Sequence, residues 1–256
     1  MYEGGAVDAR DEIRFARFDV NHLGWRRSPG PATPDTARPG GVAYVLGGAS
    51  VSGGAVTLDG ADDFVRVPYS PAQLPGSGDF TFTTSFRYGA SKDPQALLWL
   101  GGMNSAPQVW LRAEPSAHRL IAMMTTAAGT KSVTTTQAYD DQQWHHLALE
   151  RTGGHLRIWV DGALAASGPD SPGSVSQTVA FQLQLGQRLD GANRFAGSLG
   201  ETRLYRWALP SAALTAVAGR PVRLPGPGRA AAVRPPALNS RGAGAESRRR
   251  QPRRIR

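Results

Sequence analysis

The chain has 256 residues, of which 40% are hydrophobic, so it can form one large domain or two small ones with a substantial core. It contains no cysteine, which excludes disulfides and thiolate metal sites, and it shows no run of about 20 apolar residues that could cross a bilayer. The net charge is +9, but eleven arginines and one glutamate give +10 from residue 220 onward, which leaves −1 for the rest. We therefore expect a near-neutral folded body, a basic tail and no membrane partner.

Residues 1–24 contain one short alternating pattern, EIRFARF, which predicts a strand. Residues 25–41 include RRSPGPATPDTARPGG, where proline and glycine are dense enough to stop both helix and strand. We interpret this second range as a linker that leads into the main body of the chain.

The main body, residues 42–222, consists of short alternating runs separated by turn residues. In the run FTFTTSF, Phe80, Phe82 and Thr84 fall on one face and the residues between them on the other. Strands at this spacing predict an all-β antiparallel sandwich or barrel, and the missing βαβ alternation disfavours a parallel sheet. One short helix is predicted over residues 210–219, after the last strand.

The run QWHHLALERTGGHLRIWVDG, residues 143–162, concentrates polar groups that could suggest an enzyme. In a strand, however, His145 and His146 point to opposite faces and cannot close on one metal ion. Gly153 and Gly154 predict a tight turn between two strands, and no nucleophile stands at motif spacing. We interpret the run as a hairpin, with one histidine hydrogen-bonding across strands. On its second strand, three residues share the core face: Leu156, Ile158 and Val160.

Residues 223–256 are rich in arginine, proline and glycine and almost free of large apolar side chains, so we expect a disordered tail. One interpretation is a solvated tail, and the other is an arm that binds nucleic acid. No aromatic residues are interleaved with the arginines to stack on bases, which favours the first interpretation.

Four segments, LDGADDFVRVP, GDFTFTTSFRYG, QWHHLALERTGGHLRIWVDGALAA and FAGSLGETRLYRWALPSAAL, resemble successive landmarks of a laminin-G-like module. They occur in the order expected for that family and cover about residues 42–222. The resemblance implies a concanavalin A-like jelly roll of two antiparallel sheets, one of them curved with a concave face. It also implies binding of glycans or protein partners without catalysis.

The segment LDGADD places Asp59, Asp62 and Asp63 near one turn, with Glu201 as a possible fourth carboxylate from across the sheet. Hard oxygen ligands of this kind suit Ca²⁺. The alternative is that the aspartates only hydrogen-bond backbone N–H groups of the turn.

Tryptophans that lie off the core face could stack on sugar rings. Trp159 alternates with the apolar face of its strand, so we predict an exposed platform there, with Trp110 as a second ligand-binding residue. Trp99, in ALLWLGG, is predicted to pack in the core, and Trp207 is predicted to pack near the final helix.

The first residues, MYEGGAVDARDEIRFARF, resemble the last strands of a bacterial exo-sialidase propeller. There Glu3 matches the carboxylate that steadies one arginine of the substrate-gripping triad. Tyr2 does not match the nucleophile, because the Tyr-Ser motif of that family is missing, as are the arginine triad and Asp-box repeats. The resemblance implies a fragment of a secreted hydrolase, hence an extracellular location, although the acidic start is unlike a signal peptide.

Some jelly rolls hydrolyse glycosides with an E-x-D-x-x-E pattern on one strand, but this sequence lacks that pattern. We therefore expect a monomeric, non-catalytic accessory module that binds glycans or glycoconjugates and belongs to an exo-α-sialidase-like glycoside hydrolase. The alternative is a laminin-G-like module that binds proteins or spaces domains without lectin activity.

Overall fold

The computed structural model describes residues 12–15, 32–34, 42–52, 54–68, 75–90, 92–101, 106–176 and 182–218. The strands in these ranges are β1 (Glu12–Phe15), β2 (Ala32–Pro34), β3 (Val42–Leu46), β4 (Ser50–Ser52), β5 (Ala55–Asp59), β6 (Phe64–Pro68), β7 (Phe80–Tyr88), β8 (Gln95–Gly101), β9 (Gln108–Glu114), β10 (Arg119–Thr126), β11 (Gly129–Thr134), β12 (His145–Thr152), β13 (His155–Val160), β14 (Ala163–Pro169), β15 (Gln182–Leu185) and β16 (Ala196–Tyr205). A 3-10 turn, Pro115–Ala117, joins β9 to β10, and the helix α1 spans Ser211–Ala218.

The described strands form two eight-stranded antiparallel sheets that pack face to face. Sheet A has the order β14-β13-β12-β7-β16-β5-β4, and β1 pairs with the later part of β16. Sheet B has the order β11-β10-β9-β8-β15-β6-β3-β2. Both sheets contain pairs of strands that are distant in sequence, such as β7 with β16 and β8 with β15, as in antiparallel sandwiches of the jelly-roll type. The predicted all-β antiparallel sandwich is confirmed, and the predicted tail, 223–256, lies outside the described residues.

The inner faces of the two sheets bury one apolar core. On β7, Phe82 and Phe86 point inward and are almost fully buried, as the alternation in the sequence predicts. Leu111 of β9 and Leu120 of β10 approach them from sheet B. Each side chain of this size stabilises the fold by about 1.5–3 kcal/mol when it leaves water.

The hairpin of β12 and β13 is the clearest local prediction, and it is confirmed. Gly153 and Gly154 have φ angles of 54° and 78°, the left-handed pair that a two-residue turn between twisted strands requires. The turn fixes the register in which Thr152 pairs with His155. The three residues predicted for the core face are all buried: Leu156, Ile158 and Val160.

Two strands lie upstream of the predicted body. The strand expected within residues 1–24 is β1, which pairs with Thr202–Tyr205 of β16. The predicted linker, in contrast, contains β2, so the expectation that it excludes strands is wrong at Ala32–Pro34. Proline has no N–H to donate to a neighbouring strand and is therefore confined to the edges of sheets. Pro34 satisfies this rule, because β2 is the outermost strand of sheet B.

The outer face of sheet A, which points away from the core, is covered by the chain that follows β16. The Thr81 hydroxyl accepts a hydrogen bond from the Leu209 N–H at 2.9 Å and donates one to the Trp207 carbonyl at 3.0 Å. Leu214 of α1 is buried in a small apolar cluster on this face together with Ala148 of β12. The predicted helix is confirmed, and no helix among the described residues is long and apolar enough to span a membrane.

A clasp formed by residues 170–173 joins the two sheets at one end of the sandwich. The Arg151 Nε of β12 donates to Asp170 at 2.6 Å, and its Nη1 donates to the Gly173 carbonyl at 2.9 Å. Ser171 reaches sheet B, where its hydroxyl donates to the Gly129 carbonyl at 2.6 Å. Both charged side chains of the clasp are buried, so the pair is shielded from solvent.

Candidate functional site

A row of directly opposite residues runs across the outer face of sheet B. Its members are Tyr44, Arg66, Gln184, Trp99, Trp110, Met123 and Ser132. The two tryptophans stand at its centre, with ring centroids 5.6 Å apart and planes 8° from parallel. Their strand neighbours Leu98 and Val109 point into the core, so the indoles belong to the outer face. Sheet B therefore carries a continuous polar and aromatic strip on that face.

Arginine side chains lie over the aromatic rings of this strip. The guanidinium of Arg112 is 4.7 Å from the ring centroid of Trp110, and that of Arg188 is 5.6 Å from the centroid of Trp99. The indoles are consequently only 2% (Trp99) and 5% (Trp110) exposed. Trp99 is buried, but it lies on the outer face and not in the core where it was predicted to pack. Trp110 supports an arginine and presents little ring surface on which a sugar could stack.

Carboxylates hold most of these arginines in place. Glu114 pairs with Arg112 and Arg119, each at 2.5 Å. Burial alone raises the pKa of Glu114, but the hydrogen bonds from Arg119 and Arg112 outweigh it and the net pKa is lowered. Arg188 pairs in the same way with Asp190 at 2.5 Å.

Arg66 differs from its neighbours on this face. Its guanidinium lies 5.1 Å from the ring centroid of Phe64, and no carboxylate among the described residues forms an ion pair with it. Its Nε is buried and makes no hydrogen bond, and the same is true of the Oε1 of Gln108 in β9. Buried polar atoms normally have partners, so the strip has hydrogen-bonding capacity that the protein itself does not use.

The predicted aspartate cluster forms in the turn between β5 and β6. One carboxylate oxygen from each of Asp59, Asp62 and Asp63 lies within 4.8 Å of the other two. Backbone groups also use them: the Asp59 N–H donates to Asp63 at 2.9 Å, and the Ala61 N–H donates to Asp59 at 2.7 Å. The structure therefore contains both the carboxylate group and the turn hydrogen bonds that sequence reasoning offered as alternatives.

The carboxylates of the cluster have opposite electrostatic environments. Burial, followed by repulsion from Asp59 and Asp62, raises the pKa of Asp63. The hydrogen bond from the Ala61 N–H lowers the pKa of the exposed Asp59. A cation at this turn would relieve the repulsion on Asp63.

The prediction that Glu201 completes this cluster is wrong. Asp59 pairs with Ala196 at the start of β16, and Glu201 lies five positions further along, about 16 Å away at the rise of a strand. There Glu201 forms an ion pair with Arg203 at 2.5 Å. An irregularity between Leu199 and Thr202 interrupts the register of β16 with β7, and sequence alternation alone does not reveal it.

The prediction that Trp159 is an exposed platform is also wrong. It lies on the outer face of sheet A, where its Nε1 donates to Glu150 at 3.1 Å and its ring packs in the cluster beneath α1. Trp159 and Trp110 therefore stand on different sheets and cannot serve one site. Trp207 packs as predicted, edge-on against Tyr205 with centroids 5.5 Å apart.

The paired histidines diverge as predicted and take structural roles. His145 hydrogen-bonds Asp161 at 2.7 Å and Asp141 at 3.1 Å, so the expected cross-strand bond is present. Burial alone lowers the pKa of His145, but these two carboxylates reverse the effect and raise it. His146, on the opposite face, has a pKa lowered to about 4 by burial. The pair fastens the turn at Asp161 and does not converge on a common ligand.

These features define a class of protein, the cysteine-free jelly-roll sandwich with a polar strip on one outer face. Residues 59–215 match the family model Laminin_G_3, described as the concanavalin A-like lectin/glucanases superfamily. Because the match covers more than half of the chain, this protein belongs to that family. No curated protein sequence matches the chain.

Solved structures with a similar fold include receptor-binding domains of toxins. The binding domain of Paraclostridial Mosquitocidal Protein 1 superposes with a TM-score of 0.58 at 13% identity, covering 73% of this chain and 49% of that one. A structure of botulinum neurotoxin type C, a toxin whose cell entry depends on two ganglioside molecules, superposes with a TM-score of 0.61 at 11% identity. The match covers 82% of this chain and 51% of that one. The binding domain of botulinum neurotoxin DC in complex with SialylT gives 0.58 at 9%, also covering 82% and 51%. The chain thus spans about half the length of these structures, and the likeness is one of fold.

Proposed function

We propose that this protein is a non-catalytic glycan-binding module and that the outer face of sheet B is its binding surface. The observation that carries the proposal is the half-buried Arg66, which stands in one row with the buried Gln184, Trp99 and Trp110, whereas α1 packs on the outer face of sheet A. The ganglioside and SialylT structures support it by analogy, since they show a fold of this kind in glycan-binding domains.

The chemistry of the strip suits hydroxyl-rich ligands. Sugars are recognised by planar hydrogen-bonding groups, and the half-buried Arg66 offers its guanidinium on β6, while the amides of Gln184 on β15 and Gln108 on β9 are buried beneath the surface. The tryptophans stiffen this surface from below, which lowers the entropy lost when it orders around a ligand. A single shallow face of this kind gives weak affinity per site.

A glycan array probed with the purified chain tests the proposal. We expect at least one class of glycan to bind above background, and Tyr44→Ala, which removes a half-buried ring directly opposite Arg66, to weaken that binding about tenfold, because the loss of one contact is worth about 1.5 kcal/mol. Thr57→Val, on the exposed outer side of β5, is the matched control and should leave binding unchanged. An array without signal above background contradicts the proposal.

A protein-binding or spacer module is the second candidate, and one observation favours it: a structure with this fold is the binding domain of botulinum neurotoxin DC in complex with rat synaptotagmin II. A pull-down in which a defined protein partner survives an excess of free sugar would select this candidate over glycan binding.

We propose, as the parent of this module, a secreted exo-sialidase-like hydrolase, which also implies an extracellular location. The support is the sequence of residues 1–18, in which Glu3 matches a carboxylate of that family. Glu3 itself lies outside the described residues, and the family match begins at residue 59. An in-frame propeller encoded upstream of Met1 would support this parentage, and an unrelated upstream sequence would refute it. Purified residues 1–256 should not hydrolyse a fluorogenic sialoside.

We propose Ca²⁺ as the metal for the turn of Asp59, Asp62 and Asp63. Carboxylate oxygens suit this ion, and the pKa of Asp63 is raised first by burial and then by repulsion from Asp59 and Asp62, which a cation would relieve. If the dissociation constant is about 0.1 mM, 10 mM calcium stabilises the fold by about 2.7 kcal/mol. The melting temperature should then rise by about 5 °C or more, and Asp62→Asn should abolish the rise. An unchanged melting temperature would refute calcium binding at this turn.

A further inference from the structure

Three arginines on the outer face of sheet B share one feature. In each of three cases a guanidinium lies over an aromatic ring of the same face: Arg66 over Phe64, Arg188 over Trp99 and Arg112 over Trp110. Stacking of this kind holds the planar group at a fixed height and orientation, which an extended lysine could not achieve. The face therefore presents positive charge in fixed positions.

The three arginines differ in what neutralises them. Arg112 shares Glu114, and Arg188 has Asp190, so these two guanidiniums are already paired with carboxylates. Arg66, on β6 of the same face, has no carboxylate partner among the described residues, and its Nε makes no hydrogen bond. A guanidinium without a carboxylate, on a face where two others have one, is the position at which an external anion forms the missing ion pair.

We propose that the outer face of sheet B binds an anionic saccharide, whose carboxylate or sulfate group is held by Arg66. This inference rests on the glycan-binding function proposed above and names the class of glycan. Gln184, directly opposite Arg66 in the neighbouring strand, is buried and its Oε1 accepts a hydrogen bond from Gln187, so it supports the sheet beneath the charged group and leaves Arg66 to contact the ligand. A planar guanidinium suits carboxylate and sulfate alike, because both present two oxygens at the spacing of its paired N–H groups.

Calorimetric titration of the full chain with three matched ligands tests the proposal: lactose, 3′-sialyllactose and 3′-sulfated lactose. We expect at least one of the two anionic forms to bind tenfold or more tightly than lactose, and the comparison of the two distinguishes carboxylate from sulfate. Arg66→Gln should reduce the affinity for the anionic ligand at least tenfold and leave the affinity for lactose nearly unchanged.

Arg87→Gln is the charge-matched control, because Arg87 is exposed on β7 of sheet A and also lies over a tryptophan, Trp144. It removes the same charge from the opposite sheet and should leave binding unchanged. Because the arginine-rich residues 220–256 are unchanged in both variants, any binding of the anionic ligand to them is the same in both. Equal losses in Arg66→Gln and Arg87→Gln would overturn the proposal.

An observation that needs no substitution guards against a misfolded variant. In amide and indole NMR spectra of the unaltered chain, the anionic ligand should shift the indole N–H signals of Trp99 and Trp110 and leave those of Trp159 and Trp207 in place. Equal binding of lactose and the anionic ligands would refute the anionic assignment and leave the glycan-binding function standing. Absence of binding by all three ligands, combined with an empty glycan array, would refute both.

Discussion

The two outer faces of the sandwich bury their central polar residues in different ways. On sheet A, Glu150 is sealed beneath the segment that ends in α1, and the burial raises its pKa. On sheet B, Glu114 lies between two arginines at the surface, and its pKa is lowered. The outer face of sheet A is closed by the protein's own chain, whereas on sheet B the arginines themselves cover the carboxylate. The two outer faces therefore bury charge in different ways, and the proposed binding surface lies on the face that α1 does not cover.

The largest expected effect concerns the cover of sheet A. Leu214→Ala removes a buried side chain of α1 and should lower the free energy of unfolding by about 2–5 kcal/mol. The matched variant on the open face, Met123→Ala, removes a half-buried side chain and should cost about 1 kcal/mol or less. Urea denaturation measures both, and similar losses would show that α1 is dispensable as a cover.

A smaller effect is expected where the cover is attached to the sheet. Thr81→Val leaves the Leu209 N–H and the Trp207 carbonyl without their hydroxyl partner, which should cost about 1–3 kcal/mol. Thr125→Val, on the open face of sheet B, should change stability by about 0.5 kcal/mol or less, because its hydroxyl is accessible to water. If the two valine variants unfold at the same urea concentration, Thr81 does not anchor the cover.

The smallest effect is a pair of opposite pH dependences. The folded pKa of Glu150 lies above the ordinary value of 4.5, so its contribution to stability is lost as pH rises above about 4.5, and Glu150→Gln should stabilise the protein at neutral pH. The folded pKa of Glu114 lies below 4.5, so its contribution is present above that pH and is lost on acidification. Glu114→Gln should therefore destabilise the protein at pH 7 and match the unaltered chain in acid. Denaturation at pH 3, 5 and 7 checks the two signs.

The hairpin of β12 and β13 illustrates what local sequence determines. Two glycines demand a tight turn, and the alternation of Leu156, Ile158 and Val160 sets the buried face, so both features could be predicted before any tertiary contact was known. The final helix and the strand in residues 12–15 were predictable on similar local grounds.

Features that depend on distant segments could not be predicted in this way. Alternation correctly placed Trp159 off the core face, but only the packing of α1 decides that this face is closed. The sequence of β6 alone does not mark Arg66 as a candidate binding residue. Its position beside Gln184 and Trp99 depends on the register between strands. The misplacement of Glu201 has the same origin, since the pairing of β16 with β5 places Ala196 opposite Asp59, and the residue pattern does not reveal that register.

The clasp of Arg151 and Asp170 has a further consequence for the conditions under which the module can work. Many small extracellular modules are stapled by cystines, which a thiol reductant opens. Here the same mechanical task falls to a buried ionic and hydrogen-bonded junction between the two layers. Because it contains no sulfur and is hidden from dissolved ions, this end of the molecule should stay fastened in reducing media and in concentrated salt alike.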